Sequence, residues 1–342
     1  MVITRAGGLC DDAEVNLRAI GPLAVVFCTL ACSRKEIVPS GGRPAVVTAR
    51  APGRPDVRFI AVGDTGMGND EQRQVARAIE TTCAAEGCDF VLLLGDNLYL
   101  SGAASADDPQ WRDKFEEPYR NLSMPFWAAL GNHDYGHRGI GDDFGRPEGE
   151  LAYARTGGKF RMPARRYSFT AGNALFVALD TNAARYGEDR GQAAEVAGWM
   201  ATPARWKIAF GHHPILSNGP HGNAGNYDPD LRARERLYGP VVGPGGLLKT
   251  LFDDQICGKA DLYLSGHDHS RQWLEQTCAG TELAVSGAGA EATDVTPRNP
   301  ARFAKASLGY LHVVAGEQEL RARFFDGDGK PEFERVLTKA AR

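Results

Sequence analysis

Short apolar runs in this chain repeatedly end on the same punctuation. Val57-Arg58-Phe59-Ile60-Ala61-Val62 stops at Gly63, 89–94 at Gly95, and 124–130 at Gly131. The run 173–179 stops at Asp180, 206–210 at Gly211, and 261–264 just before Gly266. Each run is short, mostly apolar and bounded by a turn former, which is the pattern of a buried strand. After the first strand, 70–82 sets Val75, Ala78 and Ile79 on one face and predicts a helix. Apolar strands alternating with helical stretches predict an α/β fold, its sheets covered by helices. Polar residues at the strand ends predict a site built from loops at one edge of the sheets.

The segment 281–337 has alternating strand patterns and no helix signal. Asp326-Gly327-Asp328-Gly329 within it resembles the start of an EF-hand loop, but Lys330 and Pro331 occupy the next positions, so a hairpin turn is expected. With no internal repeat and no second boundary, 56–342 reads as one domain.

The N-terminus changes the picture of location. Residues 19–32 are nearly all apolar, flanked by Arg18 and by Arg34-Lys35, and too short to span a bilayer. They fit the apolar region of an export signal over 1–32. Asp11, Asp12 and Glu14 fit the basic start of such a signal poorly, and a natural start near Val15 would account for them. Thr29-Leu30-Ala31-Cys32 is similar to a bacterial lipobox, although Leu30 stands one place closer to the cysteine than that pattern prefers. Two readings stay open: a lipidated Cys32 that attaches the protein to a membrane, and an ordinary cleaved signal. The product is expected to be periplasmic, membrane-anchored or secreted. Residues 33–55, rich in Pro, Gly and Arg, read as a flexible linker.

Cysteine usage agrees with export. Beyond the leader stand Cys83, Cys88, Cys257 and Cys278, and an even set in an exported chain points to disulfides. Proximity favours Cys83–Cys88 and Cys257–Cys278 among three pairings; the alternative is four buried thiols. No Cys-x-x-Cys occurs, which argues against a cysteine zinc site. A net charge of −4 gives no reason to expect a nucleic-acid partner.

The strand ends carry the chemistry. In order stand Gly63-Asp64, Gly95-Asp96-Asn97-Leu98-Tyr99, Gly131-Asn132-His133-Asp134, Gly211-His212 and Gly266-His267-Asp268-His269. Carboxylate, amide and phenolate oxygens together with imidazoles suit iron, manganese or zinc. Two such ions close together can activate a water and hold a phosphoryl group.

These motifs resemble those of the calcineurin-like metallophosphoesterases, and within them the small purple acid phosphatases of the tartrate-resistant type. The wider superfamily has Asp-x-His in its first motif, whereas this chain has Asp64-Thr65-Gly66; the purple enzymes also lack that His and use a Tyr three residues after the bridging Asp, where Tyr99 stands. The resemblance implies a four-layer αββα sandwich with a dinuclear metal site at the strand ends. It implies that Asp64, Tyr99 and His269 bind Fe(III), that Asn132, His212 and His267 bind a divalent Fe, Zn or Mn ion, and that Asp96 bridges them. His133 and His221 would face the substrate. The implied reaction is hydrolysis of phosphate monoesters by attack of a metal-bound hydroxide, in a monomer acting on small phosphoesters at low pH.

Neighbouring residues admit plainer readings. Asp134, Asp268 and Asp180 either support imidazoles or cap turns. His213 is a pocket neighbour of His212, and His137 and His312 are surface or strand residues. The stretch 136–160 reads as a loop that caps the cleft, with Arg138, Arg146 and Arg155 either on phosphate or solvated. Thr65 stands where relatives often carry Trp. Two rival functions remain: a phosphodiesterase on nucleotides or phospholipids, and a metal-binding surface protein without turnover. Redox chemistry at an iron pair would be a side activity.

Overall fold

The structure, a computed structural model, describes residues 56–227 and 245–340 and the backbone of 45–46. The export signal with Cys32, and the linker apart from 45–46, lie outside the described residues.

The strands form two sheets. One runs β15 (Pro331–Thr338), β14 (Glu319–Asp326), β13 (Gly309–Ala315), β2 (Val57–Val62), β3 (Phe90–Leu94), β4 (Phe126–Ala129) and β5 (Phe160–Arg161). The other runs β1 (Ala45–Val46), β6 (Tyr167–Ala171), β7 (Ala174–Ala178), β8 (Trp206–Phe210), β9 (Leu262–Ser265), β11 (Glu282–Ser286), β10 (Arg271–Leu274) and β12 (Ala301–Lys305). β1, inside the segment read as linker, lies parallel to β6. All six expected strands are present, with ends that differ from the apolar runs by a residue or two.

The apolar runs are continuous because both faces of a strand are covered. On β7, Ala174, Phe176 and Ala178 face the core between the sheets, while Leu175 and Val177 join an outer cluster. Leu248, Leu251 and Phe252 of α4 (Gly246–Gln255) complete that outer cluster. Between the sheets, Phe59 and Phe90 of one meet Phe176 of the other edge to face, both at 5.2 Å. Burying each such ring contributes about 1.5–3 kcal/mol. This is the αββα sandwich that the motifs imply.

Helix α1 (Asp70–Glu86) starts at Asn69, whose side chain accepts from the Gln72 N–H at 3.0 Å, and ends at Gly87. Cys83 pairs with Cys88 and Cys257 with Cys278. The Asp326 carboxylate takes the N–H groups of Asp328 and Lys330 at 3.0 and 2.9 Å inside the β14–β15 hairpin, so this loop is a turn.

The stretch 136–160 differs from the loop expected. It holds a 3₁₀ turn over His137–Gly139, is irregular from there to Pro147, and then forms α2 (Glu148–Ala154). Gly149 hides that helix in the sequence, yet its α-carbon lies so near the Ala103 carbonyl that a Cβ would sit 2.3 Å from the oxygen.

Candidate metal centre

β2, β3 and β4 are parallel neighbours in one sheet, and β8 and β9 are parallel neighbours in the other. Their carboxyl ends carry all five motifs, so topology alone brings the motifs to one edge. At three strand ends the residue after glycine turns left-handed: Asp64 at φ 59°, Asp96 at φ 53° and His267 at φ 71°. Asp and His tolerate that region better than most side chains, at about 1–2 kcal/mol each. The sharp turn points each side chain back across the strand ends. Gly66 closes the first turn: a Cβ there would lie 2.0 Å from the Asn97 carbonyl oxygen.

The seven expected ligands come together in two groups. In the first, the Tyr99 hydroxyl donates to Asp64 Oδ1 at 3.0 Å and lies 3.0 Å from His269 Nε2. His269 Nε2 is 3.5 Å from Asp64 Oδ1. In the second, His212 Nε2 lies 2.9 Å from Asn132 Oδ1 and 3.0 Å from His267 Nδ1. Asp96 joins them, its Oδ2 3.3 Å from His212 Nε2. Donor atoms of Asp64, Asp96 and His212, all buried, lie within 4.8 Å of one another.

The far side of several of these groups is occupied. His212 Nδ1 is bonded to the Leu94 carbonyl at 3.0 Å, Asn132 Nδ2 donates to the Gly139 carbonyl at 2.8 Å, and His269 Nδ1 is 3.1 Å from Glu291 Oε2. Such bonds fix tautomer and amide orientation, leaving acceptor atoms turned inward. The field there favours positive charge. Burial would lift the Asp96 carboxyl, yet His212 and His133 hold it well below the usual carboxylate range. Burial would lower the imidazoles, yet Asp96 and Asp64 keep His212 at about 9, and Asp64 keeps His269 at about 9. Burial, then Asp64 and Asp96, push the Tyr99 phenol well up, so only a strong cation would draw a phenolate there. Burial, then neighbouring cationic groups, push His267 well down and keep it a neutral imidazole. Inward lone pairs, mixed O and N donors and a field that favours cations fit a pair of metal ions.

His133 and His221 flank the cluster. The His133 ring lies 4.4 Å from the Tyr99 ring, and its Nδ1 is bonded to the Leu100 carbonyl at 2.8 Å. Gly139 packs on its other side, where a Cβ would come within 2.5 Å of Nε2. The His221 ring stacks on His267 at 4.1 Å.

The accessory residues sort differently from one another. Asp134 supports no imidazole: it takes the N–H groups of Asn97, Leu98 and Gly131 at 2.9, 3.2 and 2.8 Å, and so ties two motif loops together. Glu150 Oε2 accepts from Asn97 Nδ2 at 3.0 Å beneath them. Asp180 caps α3 (Thr181–Tyr186) through the Ala183 N–H at 3.0 Å. Asp268 Oδ1 takes the His221 N–H at 3.0 Å. His213 is a neighbour of the cluster, its ring 4.5 Å from that of His267, but its Nδ1 is bonded to Thr181 Oγ1, 2.9 Å away. Arg146 donates to the carbonyls of Ser101 and Gly102 at 2.7 and 2.9 Å and holds the chain just past Tyr99, a task for which the sequence gives no sign. Glu291 and Glu150 adjoin no motif, so their part in the site has no signal in the sequence.

The calcineurin-like phosphoesterase family model matches residues 57–271, which contain every one of these motifs. The chain belongs to the calcineurin-like phosphoesterases. Such an enzyme hydrolyses phosphoric esters. Among relatives of this phosphoesterase, tartrate-resistant acid phosphatase type 5 of Mus musculus is 25% identical over 87% of this chain and 95% of its own. Purple acid phosphatase 4 of Arabidopsis thaliana is 26% identical over 91% of this chain and 92% of its own. Among solved structures, the phosphoesterase is similar to the purple acid phosphatase of yellow lupin seeds (TM-score 0.62, 19% identity, 86% of this chain and 56% of that one). It is also similar to GAP50, described as the anchor in the inner membrane complex of Plasmodium (TM-score 0.65, 19% identity, 84% of this chain and 91% of that one).

Proposed function

We propose that this phosphoesterase hydrolyses phosphate monoesters at a dinuclear centre. Asp64, Tyr99 and His269 would hold Fe(III), Asn132, His212 and His267 a divalent Fe, Zn or Mn ion, and Asp96 both. The observation that carries this reading is the inward turn of the donor atoms, with the outer sides of His212, Asn132 and His269 already bonded. The ions, when bound, supply the Lewis acidity that polarises a phosphoester and acidifies water.

The chain's own residues do the rest. His133, its Nδ1 on the Leu100 carbonyl, keeps Nε2 for substrate, and in its protonated form gives that proton to the leaving oxygen. His221 offers a second imidazole to the phosphate oxygens from its stack on His267. The Tyr99 ring shields one face of His133 from water. Purple and tartrate-resistant acid phosphatases among the relatives support monoesters as substrates and an acidic optimum.

The reading includes export on 1–32 and work by a monomer outside the cytoplasm, anchored through Cys32 if that residue is lipidated. Two disulfides support an oxidising compartment. No helix among the described residues is long and apolar enough to cross a membrane.

GAP50 is named as an anchor, which makes a surface protein without turnover the rival to exclude. The deciding experiment purifies the protein from its own host, counts metals, records a visible spectrum, and compares turnover of an aryl phosphate monoester and diester. Two metals, colour and a preference for the monoester are expected. Diester preference would replace the substrate class, and two metals with no turnover would replace the function.

A further inference from the structure

Between β11 and β12 the chain runs from Ser286 to Ala301 without a helix or strand. Connections this long that carry no secondary structure usually have a task of their own. Most of 291–299 is exposed, yet its polar contacts converge on two places. At one end, Glu291 meets His269 Nδ1, and the Thr293 N–H donates to the His269 carbonyl at 2.8 Å.

At the other end the contacts close on the loop that carries His221. The buried Asn218 side chain takes the N–H groups of Arg298 and Asn299 at 2.9 and 2.6 Å and returns a bond to the Asn299 carbonyl at 2.9 Å. The Asn218 carbonyl accepts from the Thr296 N–H at 2.7 Å. The Arg298 guanidinium donates to the carbonyls of Ser217 and Gly219, both at 3.0 Å. Asn299 Nδ2 donates to the Ser217 carbonyl at 2.8 Å.

The opposite side of the same loop rests on Asp268. Its carboxylate takes the His221 N–H, and it lies so close to Gly219 that a Cβ there would sit 2.2 Å from Cγ. The His221 loop is therefore clamped between Asp268 and the strap. Neither is needed to close the sandwich core, to which 291–299 contributes no side chain.

We propose that the strap 291–299 is a positioning element for catalysis, with Asn218 and Arg298 as the latch that holds His221 against His267. The proposal rests on the phosphatase reading, because it gives the clamp its purpose. A histidine that must meet a phosphate oxygen gains from being held before substrate arrives, and a misplacement of about 1 Å is enough to lose most of its effect.

The test is a double-mutant cycle on the metal-loaded protein with an aryl phosphate. Arg298→Ala is an exposed change that leaves the core intact; Asn218→Ala removes the buried half of the latch. Each is expected to lower kcat/KM about tenfold with metal content unchanged. In a His221→Ala background the same changes should cost less than about twofold, since they act through that ring. Hydrogen exchange adds a readout independent of turnover: amides of 217–223 should exchange faster in Arg298→Ala, with those of β8 and β9 unaltered. Equal losses with and without His221, or wild-type activity and exchange in Arg298→Ala, would overturn the proposal. An active wild type with an indifferent Arg298→Ala removes the strap alone; a metal-loaded wild type that turns over no phosphoester removes the function beneath it.

Discussion

The ring of His212 reaches across from one sheet to the other: its Nδ1 lies 3.0 Å from the carbonyl oxygen of Leu94, the last residue of β3. A carbonyl can only accept, so Nδ1 carries a proton and Nε2 is left for Asp96 and Asn132. One hydrogen bond therefore ties the ends of the two sheets together and sets the chemistry of the atom between them.

His212→Ala and Asn132→Ala should each empty the divalent position. Metal content should fall toward one ion per chain, with kcat/KM down by ~10²-fold or more. Elemental analysis and an aryl phosphate assay check this together. Full metal and full activity in either variant would remove that residue from the centre.

Tyr99 decides whether the centre belongs to the purple type. A phenolate on Fe(III) absorbs visible light, so Tyr99→Phe should bleach the protein while its far-UV circular dichroism stays unchanged. A colourless wild type, fully active with zinc or manganese alone, would contradict the ferric assignment and leave the fold untouched.

Gly139 sits at φ 90° against the His133 ring. Gly139→Ala adds a methyl where the ring already is, in a conformation that costs an L-residue about 1–2 kcal/mol. Urea denaturation should show a loss of that order. The displaced ring should lower kcat several-fold with both metals retained, which separates this effect from loss of a ligand.

Burial, then the charge of Asp134, pushes the Glu150 carboxyl well above its usual 4.5. The folded protein then binds a proton that the unfolded chain releases once pH passes that value. Stability from this group is full below about 4.5 and is lost as pH rises toward the raised folded value. Urea unfolding of the metal-free protein should show ΔG falling with pH above about 5. Glu150→Gln keeps a donor for Asp134 and an acceptor for Asn97, and should flatten the slope. Identical slopes would show that Glu150 does not hold the proton.

Much of this was legible in the chain because it is local. A strand that ends at glycine and is followed at once by a ligand type is a feature of consecutive residues, so the order of Asp64, Asp96, Asn132, His212 and His267 could be read directly. The two disulfides and the hairpin at Asp326 are short-range too. Other features depend on segments far apart in the chain. The periodicity of 136–160 is broken by glycines that the tertiary structure requires, so α2 is hidden. Asp134 looks like a neighbour of imidazoles, but the left-handed turn at Asp96 delivers the Asn97 and Leu98 amides to it instead.

The sequence by itself determined which side chains crown the strands and what chemistry they can support, since strand, turn and donor type are encoded within a few residues of one another. Only the tertiary structure decided their orientation. Leu94 fixes the tautomer of His212, Gly139 the amide of Asn132, Glu291 the ring of His269 and Asn218 the loop of His221. The first of these joins the two sheets, the second closes a single loop, and the last two join loops at the strand ends of one sheet; burial of apolar faces packs the strands without prescribing in advance which of their loops will touch.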